Sequence, residues 1–151
     1  MTAAAPASTF IYVIYVRTDA ARLWEALLEP KWTRQYWFGM HHECSWQPGA
    51  PWSLVFGDGR IADSGEVLEV DAPHRLVLRW RNEFRPELKA EGFSHCRLEV
   101  EPQPGDAVRL TVTHILERPG SQFIAAVAVG WPRILSDLKS LLETGALALR
   151  A

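Results

Sequence analysis

The stretch Gly130–Gly145, GWPRILSDLKSLLETG, limits what this chain can become more than any other segment. Trp131, Ile134, Leu135, Leu138, Leu141 and Leu142 recur at three- and four-residue spacing. Arg133, Ser136, Asp137, Lys139, Ser140 and Glu143 fill the opposite face. That pattern predicts an amphipathic helix. Pro132 suits a first turn, where its missing N–H costs nothing, and Gly145 suits a left-handed stop. A helix of this length spans roughly 24 Å, enough to cross a small sheet. Each large apolar side chain it buries contributes about 1.5–3 kcal/mol. The rest of the chain has to provide the surface that covers this face.

Most of it reads as strand. Thr9–Arg17 (TFIYVIYVR) is β-branched and aromatic throughout, with apolar groups on both faces. Thr18 or Asp19 then caps a predicted helix from Ala20 to Leu28, ended by Pro30, and Lys31–Phe38 reads as a second short helix. From Gly39 the pattern changes to period two with regular turn signals. Strands are predicted at His41–Gln47, Pro51–Phe56, Arg60–Val70, Arg75–Asn82, Phe93–Glu101 and Val108–Leu116. Glu83–Gly92 is charged, contains Pro86, and is expected to be a mobile loop. Gln122–Val129 is apolar and helix-compatible and leads into the opening stretch.

The order is β, α, α, a run of about six antiparallel strands, then a long α. Helices held to one face of an antiparallel sheet make an α+β domain. In the later strands Leu76, Leu78 and Trp80, then Cys96, Leu98 and Val100, then Val108, Leu110, Val112 and His114 share one side. That alternation predicts one buried and one wet sheet face. A sheet bending around the terminal helix leaves room for a ligand between helix, sheet and the two short helices. With 151 residues the expectation is a disordered tail over residues 1–8 and one domain over residues 9–151.

Charge and composition narrow the function classes. The net charge is −2, so no global positive field draws the chain to nucleic acid or an anionic membrane. No apolar run reaches the ~18 residues of a membrane span. The two cysteines, Cys44 and Cys96, form no CxxC pair and predict reduced thiols in a cytoplasmic protein. Seven tryptophans mean a broad core or a ring-lined cavity.

Several segments resemble a known family: Leu23-Trp24-Glu25-Ala26-Leu27, Arg34-Gln35-Tyr36-Trp37-Phe38, Pro48-Gly49, Gly65-Glu66-Val67-Leu68-Glu69, Pro73-His74-Arg75-Leu76-Val77, Leu110-Thr111-Val112-Thr113-His114 and the opening stretch. In this order they resemble the helix-grip fold of the START/SRPBCC and birch-pollen-allergen superfamily. The nearer resemblance is to small bacterial homologues of the C-terminal domain of the heat-shock protein 90 ATPase activator. The resemblance implies a curved antiparallel sheet gripping a long C-terminal helix, and an internal apolar cavity. It implies a small hydrophobic ligand first. A cyclase- or hydrolase-like activity, or contact with a chaperone through the outer sheet face, are the alternatives.

The residues expected to bind ligand are Trp24, Trp37, Trp52, Phe56, Trp80 and Trp131 as pocket walls, with Leu135 and Leu138 on the helix. His114 joins them, its strand parity turning an imidazole inward. It is also the one candidate catalytic group, since a neutral pocket histidine can act as a general base. His41-His42-Glu43-Cys44 has ligand-type side chains, but strand neighbours point to opposite faces and no second cluster completes a set. No metal is expected, and without a phosphate loop or nucleophile elbow no cofactor either. Arg79, Arg81 and Arg97 fall on the outer face and are expected to form cross-strand pairs with Glu99 and Glu101. Apolar groups on both sides of Thr9–Arg17 make a homodimer an open expectation.

Overall fold

The computed structural model describes residues 6–149. Residues 1–5, most of the expected tail, lie outside the described residues, and Ser8 already opens the first strand. The elements are β1 (Ser8–Val16), α1 (Ala20–Leu28), α2 (Pro30–Tyr36), β2 (His41–Glu43), β3 (Pro51–Val55), β4 (Ile61–Asp71), β5 (Arg75–Asn82), α3 (Pro86–Lys89), β6 (Ser94–Gln103), β7 (Ala107–Leu116) and α4 (Gln122–Thr144). The seven strands form one antiparallel sheet in the order β1-β7-β6-β5-β4-β3-β2. The α+β helix-grip expectation holds.

The local chemistry of the helix ends is visible at each cap. Asp19 Oδ1 accepts the Arg22 amide at 2.7 Å and starts α1. Ser121 Oγ accepts the Ile124 amide at 3.0 Å and starts α4, and Gly145 ends it at φ 81°. The predicted helix from Gly130 is therefore the later part of a 23-residue one. Pro132 lies inside it rather than in its first turn. Gln122–Val129 is helix-compatible because it belongs to the same helix, and its Phe123 and Ile124 are buried.

The loop Glu83–Gly92 is also more structured than its charge implied, since it contains α3. Glu91 ties its end to the start of α4: Oε1 accepts from Ser121 Oγ at 2.5 Å and from the Phe123 amide at 3.3 Å. Oε2 accepts from the Gln122 amide at 2.9 Å. A carboxylate there answers the unsatisfied N–H groups and partial positive charge of a helix N-terminus. Burial alone would raise the Glu91 pKa, but these donors outweigh it and hold it below the usual range.

Two β-bulges bend β4. Leu54 pairs with Asp63 and Val55 with Ile61, so Ala62 is an extra residue. Val67 pairs with Leu78 and Glu69 with Val77, so Leu68 is another. Bulges bend a strand and increase its twist, which curls this part of the sheet over α4. Between them lies Gly65, where a Cβ would sit 1.8 Å from the Arg79 carbonyl oxygen. Only glycine lets β4 and β5 approach this closely.

On the outer face, the ion pairs of Arg79, Arg81 and Arg97 are one cross-strand and two local. Arg97 meets Glu99 at 3.0 Å, but two residues on along β6 rather than across strands as the sequence predicts. Arg79 instead meets Glu66, its cross-strand partner on β4, at 3.5 Å, and Arg81 meets Glu83 at 2.6 Å. Arg79 and Arg81 also stack on the Phe93 ring, at 4.3 and 4.6 Å. β1 is an edge strand, and Ile11, Val13 and Tyr15 on its outer face are exposed. No helix among the described residues is long and apolar enough to cross a membrane.

Candidate functional site

A cavity of about 360 Å³ lies between the first half of α4, the bulged end of the sheet, and the segments after α2 and β5. On α4 its wall is Phe123, Ala126, Val127, Gly130, Trp131 and Ile134, one stripe at three- and four-residue spacing. A Cβ on Gly130 would meet no heavy atom within 4 Å, so this glycine leaves the stripe open where it faces the cavity. The sheet contributes Leu54, Asp63, Trp80 and Asn82, and Phe56 follows β3. Trp37, Phe38 and Met40 come from the turn after α2, and Phe84, Arg85 and Leu88 from α3 and its approach. Phe38 and Phe84 are exposed and form part of the rim.

Of the expected ligand-binding residues, Trp37, Phe56, Trp80 and Trp131 line this cavity. Trp37 meets Trp131 edge-on at 5.1 Å and stacks with Trp80 at 6.3 Å, so the three indoles form a continuous corner. The other five lie elsewhere. Trp52 is buried behind Trp80, ring to ring at 4.3 Å, and its Nε1 donates to His42 Nδ1 at 2.9 Å. Trp24 is half-buried against the core on α1. Leu135 and Leu138 belong to the closed core under the second half of α4. The face from Trp131 to Leu142 therefore touches the cavity only at its start, and Phe123 to Gly130 supply the rest.

His114 is fully buried behind the cavity wall, with Trp80, Phe123 and Trp131 at 5.2, 5.8 and 5.9 Å. Ser94 Oγ donates to the Trp80 carbonyl at 3.2 Å. The contact between Ser94 Oγ and His114 Nδ1 at 3.3 Å must then use the imidazole's proton. Nε2 is left a bare lone pair without a partner. Burial lowers the His114 pKa to about 3, so the ring is neutral at physiological pH. His42 is lowered to about 3 chiefly by burial as well. Its half-buried neighbour His41 has Nε2 3.6 Å from Glu43. Among the described residues no three His, Cys, Asp or Glu side chains gather as a metal site would require.

Asp63 is the functional candidate that strand alternation did not single out. Asp63 faces inward with Gly65 and Val67, opposite Asn82, Trp80 and Leu78, and the Leu68 bulge is what breaks this alternation from the Leu68–Val70 end of the strand. Asn82, its cross-strand partner, donates from Nδ2 to Asp63 Oδ1 at 3.2 Å. Burial pushes the Asp63 carboxyl up to about 7, against the opposing hydrogen bonds of the Trp80 and Asn82 side chains. The strand parity that Asp63 shares with Val67 was the available signal for its inward direction.

A curved antiparallel sheet closed by one long C-terminal helix, with a cavity between them, is the helix-grip architecture of the START/SRPBCC superfamily. Within that class the chain belongs to the family described as Activator of Hsp90 ATPase homolog 1-like protein, whose sequence profile matches residues 17–143. No curated protein matches the chain in sequence. Three solved structures illustrate the fold. DynU16, a protein of the dynemicin biosynthetic locus, is 25% identical with a TM-score of 0.72; the match covers 94% of this chain and 49% of that one. PFC0360w, an HSP90 activator from Plasmodium falciparum, is 19% identical with a TM-score of 0.71, covering 89% and 95%. The Aha1 dimer from Colwellia psychrerythraea is 14% identical with a TM-score of 0.70, covering 91% and 98%.

Proposed function

We propose that the chain is a cytoplasmic binding protein for a small, largely apolar molecule held between α4 and the bulged end of the sheet. The observation that carries this is the cavity itself. Its volume of about 360 Å³ lies within the roughly 300–1,000 Å³ of small-molecule sites. Aromatic rings line it, and Asp63 and Asn82 are its buried polar groups, with the exposed Arg85 at its wall. Apolar walls supply affinity and a few polar groups supply orientation. A pair of variants and one fluorescent probe test the reading. N-phenyl-1-naphthylamine, an uncharged apolar fluorophore, brightens on entering the cavity of the unaltered protein. Gly130→Leu fills the open position on α4 and abolishes that signal, while Gly130→Ala keeps it. Equal probe binding by Gly130→Leu, with its melting temperature retained, would show that the probe sits elsewhere and would sink the proposal.

The family match supports a second reading, a regulator of heat-shock protein 90, since one solved neighbour is described as an activator of that chaperone. Its surface on this chain would be the outer sheet face. A complex with the chaperone, detected by co-sedimentation and broken by Arg79→Glu or Arg97→Glu, would establish it; unchanged chaperone ATPase rates in the presence of this chain would refute it. The exposed row Ile11, Val13 and Tyr15 supports self-association, with a dimeric neighbour as precedent. Monomeric sedimentation at high concentration would remove it.

A further inference from the structure

Asp63 and Asn82 do more than interrupt an apolar wall. The Asn82 amide is committed at both ends. Its Oδ1 accepts the Arg85 backbone N–H at 2.9 Å and its Nδ2 donates to Asp63 Oδ1 at 3.2 Å. Because a backbone amide fixes which end is the acceptor, the amide has to present N–H to Asp63. The pair is thus built around a carboxyl that accepts. An ionised carboxylate offers about four lone-pair positions. Asn82 takes one. No ion pair neutralises Asp63 among the described residues. Arg85 is the other charged group on the cavity wall, and it is exposed with its Nε held by Glu87 at 2.8 Å. A buried carboxyl with spare acceptor capacity therefore faces an apolar space without a cation, and the indoles of Trp37, Trp80 and Trp131 line that space. A lone carboxylate lacks the several oxygen ligands that a hard metal ion needs. An organic cation needs one carboxylate and favours aromatic faces.

We propose that the cavity selects ligands bearing a protonated amine, with Asp63 as the counter-charge and the Trp37–Trp80–Trp131 corner covering the adjoining apolar body. This rests on the reading of the cavity as a ligand site. Asn82 is a positioning residue in the scheme, holding the carboxyl in place through the start of α3. The raised Asp63 pKa fits the same picture, because a cation arriving beside a half-protonated carboxyl draws its proton into solvent.

The test compares two competitors of nearly identical shape, 2-(1-naphthyl)ethylamine and 1-ethylnaphthalene, for displacement of N-phenyl-1-naphthylamine. The unaltered protein is expected to favour the amine by about 10- to 100-fold, the range of a charge-assisted hydrogen bond. The preference should grow between pH 6 and pH 8, as the carboxyl ionises while the amine stays charged. In Asp63→Asn it disappears, and the hydrocarbon binds as before, which also reports an intact cavity. An amine that binds no better than the hydrocarbon, or that keeps its advantage in Asp63→Asn, overturns the inference and leaves the cavity reading standing. Failure of the fluorophore and both competitors to bind removes the cavity reading and this inference with it.

Discussion

Replacing Asp63 by asparagine exchanges one side-chain oxygen for nitrogen and isolates one buried charge. Asp63 is 7% exposed, and burial raises its carboxyl from 3.8 to about 7. In the unfolded chain it ionises at its ordinary value. Between those two values the folded state keeps a proton that the unfolded state has released. Raising the pH through that window therefore destabilises the fold, and the effect is complete above about pH 7. A shift of about 3 units corresponds to about 4 kcal/mol. The two buried histidines act in the opposite sense. His42 and His114, both lowered to about 3, are neutral in the folded protein and take up protons on unfolding below their ordinary 6.5. Their contribution is lost as the pH falls from 6.5 toward 3.

The wild-type curve mixes these terms, but Asp63→Asn retains both histidines and removes only the carboxyl. The amide that replaces it can still offer an oxygen to Asn82 Nδ2, so the local hydrogen bond survives. Urea unfolding of both proteins from pH 4 to pH 8 should show their stability difference changing by about 1.4 kcal/mol per pH unit between pH 4 and pH 7. The variant gains throughout and ends about 4 kcal/mol ahead at pH 8. A difference that stays constant with pH would mean that the carboxyl is not desolvated in the folded protein, and the argument from its burial would fall.

Three further outcomes follow from the packing. Gly65→Ala brings a Cβ within 1.8 Å of the Arg79 carbonyl and forces β4 from β5; thermal melting should show a loss of ~3 kcal/mol or more, at the upper end for single substitutions. His114→Ala empties a fully buried position and should cost about 2–4 kcal/mol by the cavity argument, whereas a melting temperature within a few degrees of wild type would mark His114 as dispensable to the core. Glu91→Ala removes the acceptor for Ser121 Oγ and the Gln122 and Phe123 amides. It should cost about 1–2 kcal/mol, with faster proteolysis between Glu83 and Gly92; protection equal to wild type would show that the tie does not hold the loop.

The sheet and its covering helix are legible in the sequence because both obey a single period. Arg75–Asn82 matches β5 residue for residue, and the inward row Val108, Leu110, Val112, His114 on β7 is buried. Legibility ends where the period breaks. β4 carries two extra residues, so counting from Val70 turns Asp63 outward while counting from Val67 turns it inward, and only strand pairing, which places the extra residue at Leu68, decides for Val67. Proline misleads in the other direction. Pro132 has the features of a first-turn proline, which hides the earlier cavity-facing turns of α4 as part of the same stripe. The indoles are separable only in part. Trp37 and Trp80 face the cavity while Trp52 backs Trp80, and composition cannot distinguish a ring that forms a surface from one that supports it.

The stripe along α4 divides the helix between two kinds of selection. At Ala126, Val127 and Gly130 the partly buried stripe borders the cavity, so a change of volume there alters what fits inside without opening a hole in the core. From Leu135 to Leu142 its side chains are locked into the core, where lost methylenes are lost stability. One helix thus holds a tolerant patch and an intolerant remainder. Ligand preference can drift through the first by single substitutions while the second keeps the architecture recognisable, as befits a fold retained in solved relatives at 14–25% identity. An engineer wishing to redirect this protein would vary Ala126, Val127 and Gly130 and leave the rest of α4 untouched.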